Sequence, residues 1–477
     1  MNYKMISYVL GWLLIFEGMF LAVPGITALV YGESELWSYL LTLSICLFIG
    51  GLLVLKKPKK SQLYAREGFV IVSLSWIVLS AFGALPFFLS GEIPDYIDAL
   101  FESVSGFTTT GASILSDVEA MSHASLMWRS FSHWVGGMGV LVFIMAFLPL
   151  SGGQNMHIMK AESPGPSVSK LVPRVRTTAM LLYSIYLVLT LIEFILLLCG
   201  GMSVFEALNT AFATGGTGGF GFYNTSMGSF SPYIQIVITV FMLLFSVNFN
   251  CYFLLMTRKI KDAFNLELRV FLIMFISSTL LITLNIHSMF SSVSEALRHS
   301  AFTVASIMST TGFSTVDFNL WPELSRTILV ILMLVGACAG STCGGIKISR
   351  VIILFKGMAK ELQTMIQPRQ VKKIKMDSHT IDHETVRSVN VFMVAYMMIF
   401  IISLIIVSFD NHDLITSFTA VAATINNVGP GLELVGPTSN FGFFSPQTKI
   451  VLIFDMLAGR LELFPMLLLF TPATWKK

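Results

Sequence analysis

Four short glycine-centred segments constrain the fold of this chain more than any other feature. Their central glycines, at positions 111, 219, 312 and 429, differ by 108, 93 and 117 in residue number, and each lies between a short and a long apolar segment. A unit with a span, a half-span, a polar loop and a second span crosses the bilayer an even number of times, so all copies enter from one side. The segments are Thr109-Thr110-Gly111-Ala112, Thr217-Gly218-Gly219-Phe220, Thr310-Thr311-Gly312-Phe313 and Asn427-Val428-Gly429-Pro430.

The composition indicates a polytopic membrane protein. Hydrophobic residues make up 55% of the 477 residues and charged residues only 12%, which is too apolar for a soluble domain. Since a helix needs roughly 20 apolar residues to cross the hydrocarbon core, we expect about ten spans. They lie near 6–30, 36–55, 68–90, 124–149, 179–200, 232–256, 269–290, 325–355, 390–409 and 446–471.

These patterns predict an all-α integral membrane protein with four parallel membrane-pore-membrane repeats around one pseudo-four-fold pore. An accessory N-terminal helical hairpin occupies residues 1–60 and precedes the repeats. The repeats cover 67–150, 178–260, 268–358 and 388–477, and linkers lie near 160–176 and 359–387. Their half-spans, which are too short to cross, lie at 95–108, 203–216, 293–309 and 412–426.

Lysine and arginine recur on one side of the predicted topology. Because cytoplasmic loops carry an excess of these residues, that side should be the cytoplasm, and the N-terminus should lie there too. The basic residues are Lys56, Lys57, Lys59, Lys60, Arg66, Lys160, Lys170, Arg174, Arg176, Arg258, Lys259, Lys261, Arg269, Lys356, Lys360, Arg369, Lys372, Lys373 and Lys375.

Enzymatic chemistry is not indicated. The five cysteines show no paired metal spacing, and the chain has no nucleophile elbow, P-loop or HExxH motif. His379 and His383 have the i, i+4 spacing of a metal pair, but we interpret them as part of a solvated helix face, which is far commoner than a metal site. We therefore expect a transport protein.

The glycine segments suit a cation filter. A dehydrated alkali cation needs rings of oxygens in place of its water, and backbone carbonyls supply them without charge. Such a strand needs dihedral angles that glycine readily adopts, and the half-helices direct their negative ends to the same place. The alternative is that each glycine only ends a helix. The predicted filter residues are Thr109, Thr110, Gly111, Thr217, Gly218, Gly219, Thr310, Thr311, Gly312, Asn427, Val428 and Gly429, with K⁺ at Thr110, Gly111, Gly218, Gly219, Thr311, Gly312, Val428 and Gly429.

The copies are not identical. Gly218 doubles the glycine of the second segment, while Asn427 and Pro430 distinguish the fourth. This asymmetry predicts fewer well-formed ion sites than a filter with true four-fold symmetry would have.

Residues 336–345, inside the second span of repeat three, contain four glycines and no bulky side chain. Non-helical backbone at membrane depth is tolerated where it lines protein or a watery cavity, so this segment is a candidate loop that occludes the pore. The alternative is close helix packing, because Gly336, Gly340 and Gly344 form two overlapping GxxxG patterns. The candidate gate residues are Gly336, Gly340, Ser341, Thr342, Gly344, Gly345 and Arg460.

Arg460 lies within the last predicted span. A central arginine costs about 2.5 to 3.5 kcal/mol on the insertion scale, so it should face the pore or pair with a carboxylate such as Asp455 or Glu462. A positive charge below the filter would hinder cation exit. The alternative is an ion pair that only holds helices together. Asn248 and Asn250 are polar groups that we assign to the inner cavity.

The motifs resemble the Trk/Ktr superfamily of potassium-uptake proteins, and the extra N-terminal hairpin favours the longer TrkH type. Besides the four filters, the resemblance rests on Trp134-Val135-Gly136-Gly137-Met138-Gly139, Ala339-Gly340-Ser341-Thr342 with Gly344-Gly345, Thr424-Ile425-Asn426-Asn427-Val428-Gly429-Pro430-Gly431, and Gly459-Arg460-Leu461-Glu462. Cys343 departs from the family pattern, which usually has glycine there.

The resemblance implies a potassium-translocating subunit of the bacterial inner membrane that works as a homodimer. It also implies a TrkA-like cytosolic regulatory protein that carries the nucleotide, ATP/ADP or NAD, so this chain would hold no cofactor besides the transported K⁺. By resemblance, the loop 336–345 would gate the filter, with Arg460 near it. A cation-coupled symporter using the same filter remains the alternative. A transporter built from inverted repeats would need opposite loop charges in successive copies.

Overall fold

The computed structural model describes residues 1–55, 58, 64–139, 175–369, 373–377 and 379–475. Over these residues the protein is helical, apart from one antiparallel hairpin of β1 Lys375–Met376 with β2 His379–Thr380. The lysines of the basic run at 56–60, the predicted end of repeat one beyond 139 and most of the linker near 160–176 lie outside the described residues.

The chain begins with two apolar helices, α1 Tyr3–Tyr31 and α2 Leu36–Val54. Asn2 caps α1 by accepting a hydrogen bond from the N–H of Met5, and Gly32 ends the helix in a left-handed conformation. The two helices pack on each other, and α1 also packs against the first repeat. The predicted hairpin therefore lies on the flank of repeat one.

Four groups of helices follow in the predicted order. The first contains α3 Ala65–Gly83, α4 Leu85–Ser90, α5 Tyr96–Phe107 and α6 His123–Gly137. The second contains α7 Val175–Cys199, α8 Val204–Gly216, α9 Pro232–Ser246 and α10 Phe249–Met256, followed by the short α11 Ile260–Ala263. The third contains α12 Leu266–Ile286, α13 Val293–Met308, α14 Glu323–Leu334 and α15 Ile348–Ile366. The fourth contains α16 His383–Val407, α17 Leu414–Ile425, α18 Pro446–Arg460, α19 Phe464–Phe470 and α20 Pro472–Trp475.

The short helices α5, α8, α13 and α17 coincide with the predicted half-spans, and we call them the pore helices. Each begins after a capping side chain that accepts a backbone N–H of the first turn, the commonest way to satisfy a helix N-terminus. The caps are Asp95, Ser203, Ser292 and Asp413. All four pore helices end directly before a glycine segment, so their negative ends point toward those segments.

The prediction of about ten continuous spans is wrong for the second helices of repeats two to four. In the described part of the chain, six helices are long and apolar enough to cross a membrane, or seven if α9 and α10 form one span with an 89° bend. Residues 335–347 separate α14 from α15, and Glu462 and Leu463, both at positive φ, separate α18 from α19. Apolar composition continues through these breaks, which is why hydropathy alone does not reveal them.

Candidate functional site

The four glycine segments share one backbone conformation. Thr109, Thr217, Thr310 and Asn427 have φ of 54–56°, and the central glycines have φ of 72–95°. In each segment, the N–H of the second residue donates a hydrogen bond to a carbonyl of its own pore helix at 2.8–2.9 Å. The pairs are Thr110 with Ser105, Gly218 with Ala213, Thr311 with Ser306 and Val428 with Ala423. Because a trans peptide directs its C=O opposite its N–H, the carbonyls of these peptides point away from the pore helices.

The segments meet in a closed cycle, which we call the glycine ring. A Cβ placed on any central glycine would collide with the carbonyl oxygen that precedes the central glycine of the next repeat. The pairs are Gly111 with Gly218, Gly219 with Thr311, Gly312 with Val428 and Gly429 with Thr110. Each corner therefore requires glycine for two reasons: the backbone has positive φ, and a neighbouring carbonyl approaches too closely for a Cβ atom. The alternative of four unrelated helix ends does not explain this closure.

One cavity of about 140 Å³ opens on one side of the glycine ring, and all four central glycines line it. Phe220, Arg129 and Pro430 line it as well. The ring therefore forms the floor of a shared vestibule.

Side chains beside the ring differ between repeats. The Thr108 and Thr110 hydroxyls bond each other at 2.7 Å, and those of Ser309 and Thr311 do so at 2.6 Å. In repeat four the Nδ2 of Asn427 donates to Thr110 Oγ1 and to the Met456 carbonyl, both at 2.9 Å. Asn427 therefore ties the fourth strand to the first, which is the kind of asymmetry that the sequence indicated.

The segment 336–345 is a non-helical loop between two helices. α14 ends at Leu334 and α15 begins at Ile348, and a parallel bridge between Val335 and Ile346 closes the loop at its base. The alternative of a helix packed through GxxxG is therefore wrong for this segment. Gly340 and Gly345 have φ of 69° and 70°, which a regular helix does not allow.

The loop contacts the glycine segments, which we also call strands of the ring, directly. The N–H of Gly344 donates to Thr310 Oγ1 at 2.9 Å, and Thr342 Oγ1 lies 3.4 Å from Thr217 Oγ1. A Cβ on Gly344 would lie 2.5 Å from the Asn426 carbonyl. The loop thus packs against three of the four strands on the side where the pore helices end.

Two cationic side chains hold the loop and its surroundings. Arg460 donates at 2.6 Å to the carbonyls of Thr342, Gly136 and Gly137, which joins the loop to the glycine motif of α6. Lys347 is buried and donates to the carbonyls of Cys343 and, at 3.0 Å, Gly344.

The two carboxylates that the sequence suggested as partners of Arg460 have other contacts. Glu462 forms a salt bridge with Arg350, and Asp455 accepts a hydrogen bond from Ser403 at 2.7 Å. The three carbonyl contacts of Arg460 instead place its positive charge beside the loop.

Sequence reasoning missed several buried charged residues, among them Glu267, Glu102 and Arg129. Glu267 accepts the N–H groups of Ala339 at 2.8 Å and Ser349 at 3.1 Å, so it fastens the loop to the start of α15. Glu102 on α5 pairs with Arg129 on α6 at 2.7 Å, and both are buried. Charged residues inside apolar segments were the available signal, because they are rare in membranes unless paired or functional.

A second cavity, of about 570 Å³, lies on the far side of the loop. Asn248, Asn250, Glu267 and Ala339 are among the residues that line it. Both asparagines line this cavity together with Lys261 and Asp377, and none of its described lining residues belongs to the glycine segments, so the assignment of the asparagines to the pore cavity stays a prediction.

Beside the vestibule, Tyr223, which lines the cavity, donates a hydrogen bond to Glu206 at 2.7 Å. Partial burial alone would raise the pKa of Glu206, but the hydrogen bonds from Tyr223 and Ser203 outweigh it and hold that pKa below its ordinary value. A carboxylate next to the vestibule thus stays charged in mildly acidic solution.

Comparison with known proteins agrees with this architecture. Residues 38–477 match the TrkH family model, described as a cation transport protein. The chain is 36% identical to the Trk system potassium uptake protein TrkH of Escherichia coli K12 and 34% identical to that of Halomonas elongata, with both chains covered completely in each case. The crystal structure of the potassium transporter TrkH from Vibrio parahaemolyticus superposes with a TM-score of 0.89, at 33% identity and full coverage of both chains. The protein therefore belongs to the TrkH family of cation transport proteins and is a transporter, not an enzyme.

Proposed function

We propose that this chain takes up potassium across the cytoplasmic membrane through a pore whose selectivity filter is the glycine ring. The observation that carries the proposal is the closed cycle of four glycine-carbonyl approaches, because it links four strands of one conformation around a single vestibule. Relatives that match over their full length are named as potassium uptake proteins. Carbonyl rings of this kind replace the hydration shell of a cation without adding charge.

The proposed K⁺ ligands are backbone oxygens of the two residues at each corner of the ring. Their supporting observation is that the carbonyls of Thr110, Gly218, Thr311 and Val428 each approach the central glycine of a neighbouring repeat, so these oxygens lie in the glycine ring. The C-terminal ends of the four pore helices add partial negative charge at the same place. These residues are Thr110, Gly111, Gly218, Gly219, Thr311, Gly312, Val428 and Gly429.

The proposed gate is the loop 336–345 together with Arg460. The support for this gate is that the loop contacts Thr310 and Thr217 on the side of the glycine ring where the pore helices end. The positive charges of Arg460 and Lys347 beside it oppose a departing cation. Opening then requires the loop and the guanidinium to move aside.

We also propose that a TrkA-like cytosolic protein, which binds the nucleotide, moves this gate, and that the chain works as a homodimer with its N-terminus in the cytoplasm. The support is family membership and the excess of lysine and arginine on one side of the topology. Docking to a cytosolic protein would use the basic linkers on that side.

Reversal potentials test the filter and separate a channel from a coupled symporter. The protein would be reconstituted in vesicles with opposed K⁺ and Na⁺ gradients, with and without a pH difference. Potentials that follow the K⁺ gradient alone support a channel, while a shift with ΔpH or with the Na⁺ gradient supports coupling. Gly312→Ser should degrade discrimination of K⁺ over Na⁺, and unchanged relative permeability would contradict the filter assignment.

A further inference from the structure

His133, on the second helix of repeat one, is completely buried and bridges two repeats. Its Nδ1 lies 2.7 Å from the carbonyl oxygen of Gly106, near the end of the first pore helix. Its Nε2 accepts the N–H of Phe220 at 3.3 Å, directly after the central glycine of repeat two. A carbonyl cannot donate, so Nδ1 carries the proton and Nε2 does not. The contacts therefore define one neutral tautomer.

The imidazole of His133 also occupies the space that a side chain at position 218 would need. A Cβ on Gly218 would lie 2.5 Å from Cε1 of the ring and still closer to two other ring atoms. Gly218 is not one of the positive-φ glycines, so backbone conformation does not demand glycine there. The ring of His133 thus explains the doubled glycine that distinguishes the second filter segment.

The other repeats use a different pair of residues at these two places. His133 lies eleven residues after the N-cap of its helix, and the same position in repeats two, three and four holds methionine: Met242, Met333 and Met456. The position equivalent to Gly218 holds a larger residue in the other strands: Thr110, Thr311 and Val428. Histidine opposite glycine therefore occurs once, and methionine accompanies threonine or valine in the remaining corners.

The pairing of positions follows from the direction of the glycine ring. The second helix of repeat one supports the strand of repeat two through His133. In repeat four, the carbonyl of Met456 binds Asn427, whose side-chain amide also reaches Thr110 of repeat one. Met333 and Val428 belong to the same buried cluster. In repeat one, therefore, the second helix supports the next strand around the ring directly, and in repeat four it does so through Asn427.

We propose that His133, in its Nδ1-protonated neutral form, is a positioning residue that sets the strand of repeat two and thereby the discrimination of K⁺ over Na⁺. The inference rests on the proposed function of the glycine ring as filter. In this inference, the two hydrogen bonds of His133 to Gly106 and Phe220 fix one corner of the ring, and His133 and Gly218 act as a unit. Arg129 reinforces this corner, because its guanidinium lies 4.0 Å above the Phe220 ring and donates to the Gly221 carbonyl at 2.9 Å.

The test is a double-substitution cycle that converts this corner to the kind found in the other repeats. His133→Met removes both hydrogen bonds and leaves space beside Gly218. Gly218→Thr places a side chain against the imidazole. The double variant carries methionine with threonine, as the corners at Thr110 and Thr311 do. The permeability ratio of K⁺ to Na⁺, from reversal potentials, and the K⁺ flux per folded protein are measured separately.

We expect each single substitution to lower the permeability ratio about tenfold, which corresponds to about 1.4 kcal/mol. The double variant should recover most of that loss, because residues in one contact unit are not additive. A general folding defect would reduce flux and leave the ratio unchanged. If a single variant does not yield folded protein, recovery of both folding and ratio in the double variant still tests the pairing.

Two outcomes overturn the inference: an unchanged ratio in His133→Met, or a double variant no better than the worse single one. Gly312→Ser in the same assay separates this from failure of the proposed function. If Gly312→Ser lowers the ratio and the His133 variants do not, the filter assignment stands and the role of His133 is wrong. If Gly312→Ser leaves the ratio unchanged, the filter assignment itself is wrong.

Discussion

Replacing each ring glycine by alanine should damage ion discrimination in a graded order. A Cβ at Gly219 would come closest to the carbonyl of the next strand, followed by Gly111 and Gly312, while at Gly429 the distance to the Thr110 oxygen is 2.7 Å. Real Cβ atoms essentially never approach within 3.0 Å. The expected order of damage is therefore Gly219, Gly111, Gly312 and Gly429.

The magnitude has a conformational part and a steric part. Alanine in the left-handed region costs roughly 1–2 kcal/mol at any of the four positions. At Gly429 the Thr110 carbonyl needs to move only 0.3 Å to reach 3.0 Å, whereas at Gly219 the Thr311 carbonyl must move by more than 1 Å. Overpacking of that kind adds about 1–3 kcal/mol. Since 1.4 kcal/mol is tenfold, we expect about a tenfold loss of discrimination for Gly429→Ala and about a hundredfold loss for Gly219→Ala.

Two glycines outside the filter provide matched controls for this series. Gly201 has φ of 94°, almost the same as the 95° of Gly429, and a Cβ there would meet nothing within 4 Å. Gly201→Ala therefore introduces the conformational strain without the collision. Gly357 has neither positive φ nor a close neighbour. The measurement is the reversal potential under opposed K⁺ and Na⁺ gradients, normalised to folded protein by gel filtration.

The steric explanation would be refuted by a loss of discrimination in Gly429→Ala as large as in Gly219→Ala. An equal loss in Gly201→Ala would refute it too, since strain alone would then suffice. Loss of K⁺ flux without a change in relative permeability would indicate that the glycines support folding and not the geometry of an ion site.

Three further predictions concern the loop and the vestibule. Arg460→Ala should raise basal K⁺ flux in vesicles without a regulatory protein, because it removes a positive charge and three hydrogen bonds beside the loop; lower or unchanged flux at equal expression would favour a purely structural role. Glu267→Gln should also raise basal flux, severalfold, because a neutral amide oxygen accepts the N–H groups of Ala339 and Ser349 less strongly than a carboxylate does; faster hydrogen exchange in 336–345 should accompany it. Tyr223→Phe should raise the pKa of Glu206. Because the depressed pKa contributes stability that is lost as pH falls through it, thermal unfolding of the variant should become acid-sensitive at a higher pH than in the parent.

The repeat architecture was readable from the sequence because it depends on periodic features. Hydropathy defines the first helices, and the glycine segments with their capped half-spans define the pore helices. All four predicted half-spans agree with the observed pore helices to within a few residues. A half-span that ends in a polar glycine segment can be recognised from local sequence, because it is too short to cross the bilayer.

The breaks in the second helices were harder to predict, because tertiary contacts stabilise them. Residues 336–345 are non-helical, and Glu267, far away in sequence, satisfies two amides of the broken region. The break at Val247 and Asn248 has no glycine, and the loop carbonyl of Gly340 accepts the N–H of Phe249 there. Hydropathy reports only whether side chains are apolar, so it cannot locate a backbone group that another repeat satisfies.

Four non-identical strands can form one ring because their differences lie outside it. At each corner the glycine and the approaching carbonyl are backbone features, so the same contact forms whether the carbonyl belongs to glycine, threonine or valine. Those side chains then serve separate purposes: Thr310 receives the Gly344 amide of the loop, and Asn427 binds Thr110 of the first strand. The loop meets the third strand at Thr310, the second at Thr217 and the fourth at Asn426, and it can reach the first only through the carbonyl contacts of the ring. If the loop is the gate that we propose, its displacement acts on three corners of the ring directly and on the remaining corner indirectly, which true four-fold symmetry would exclude.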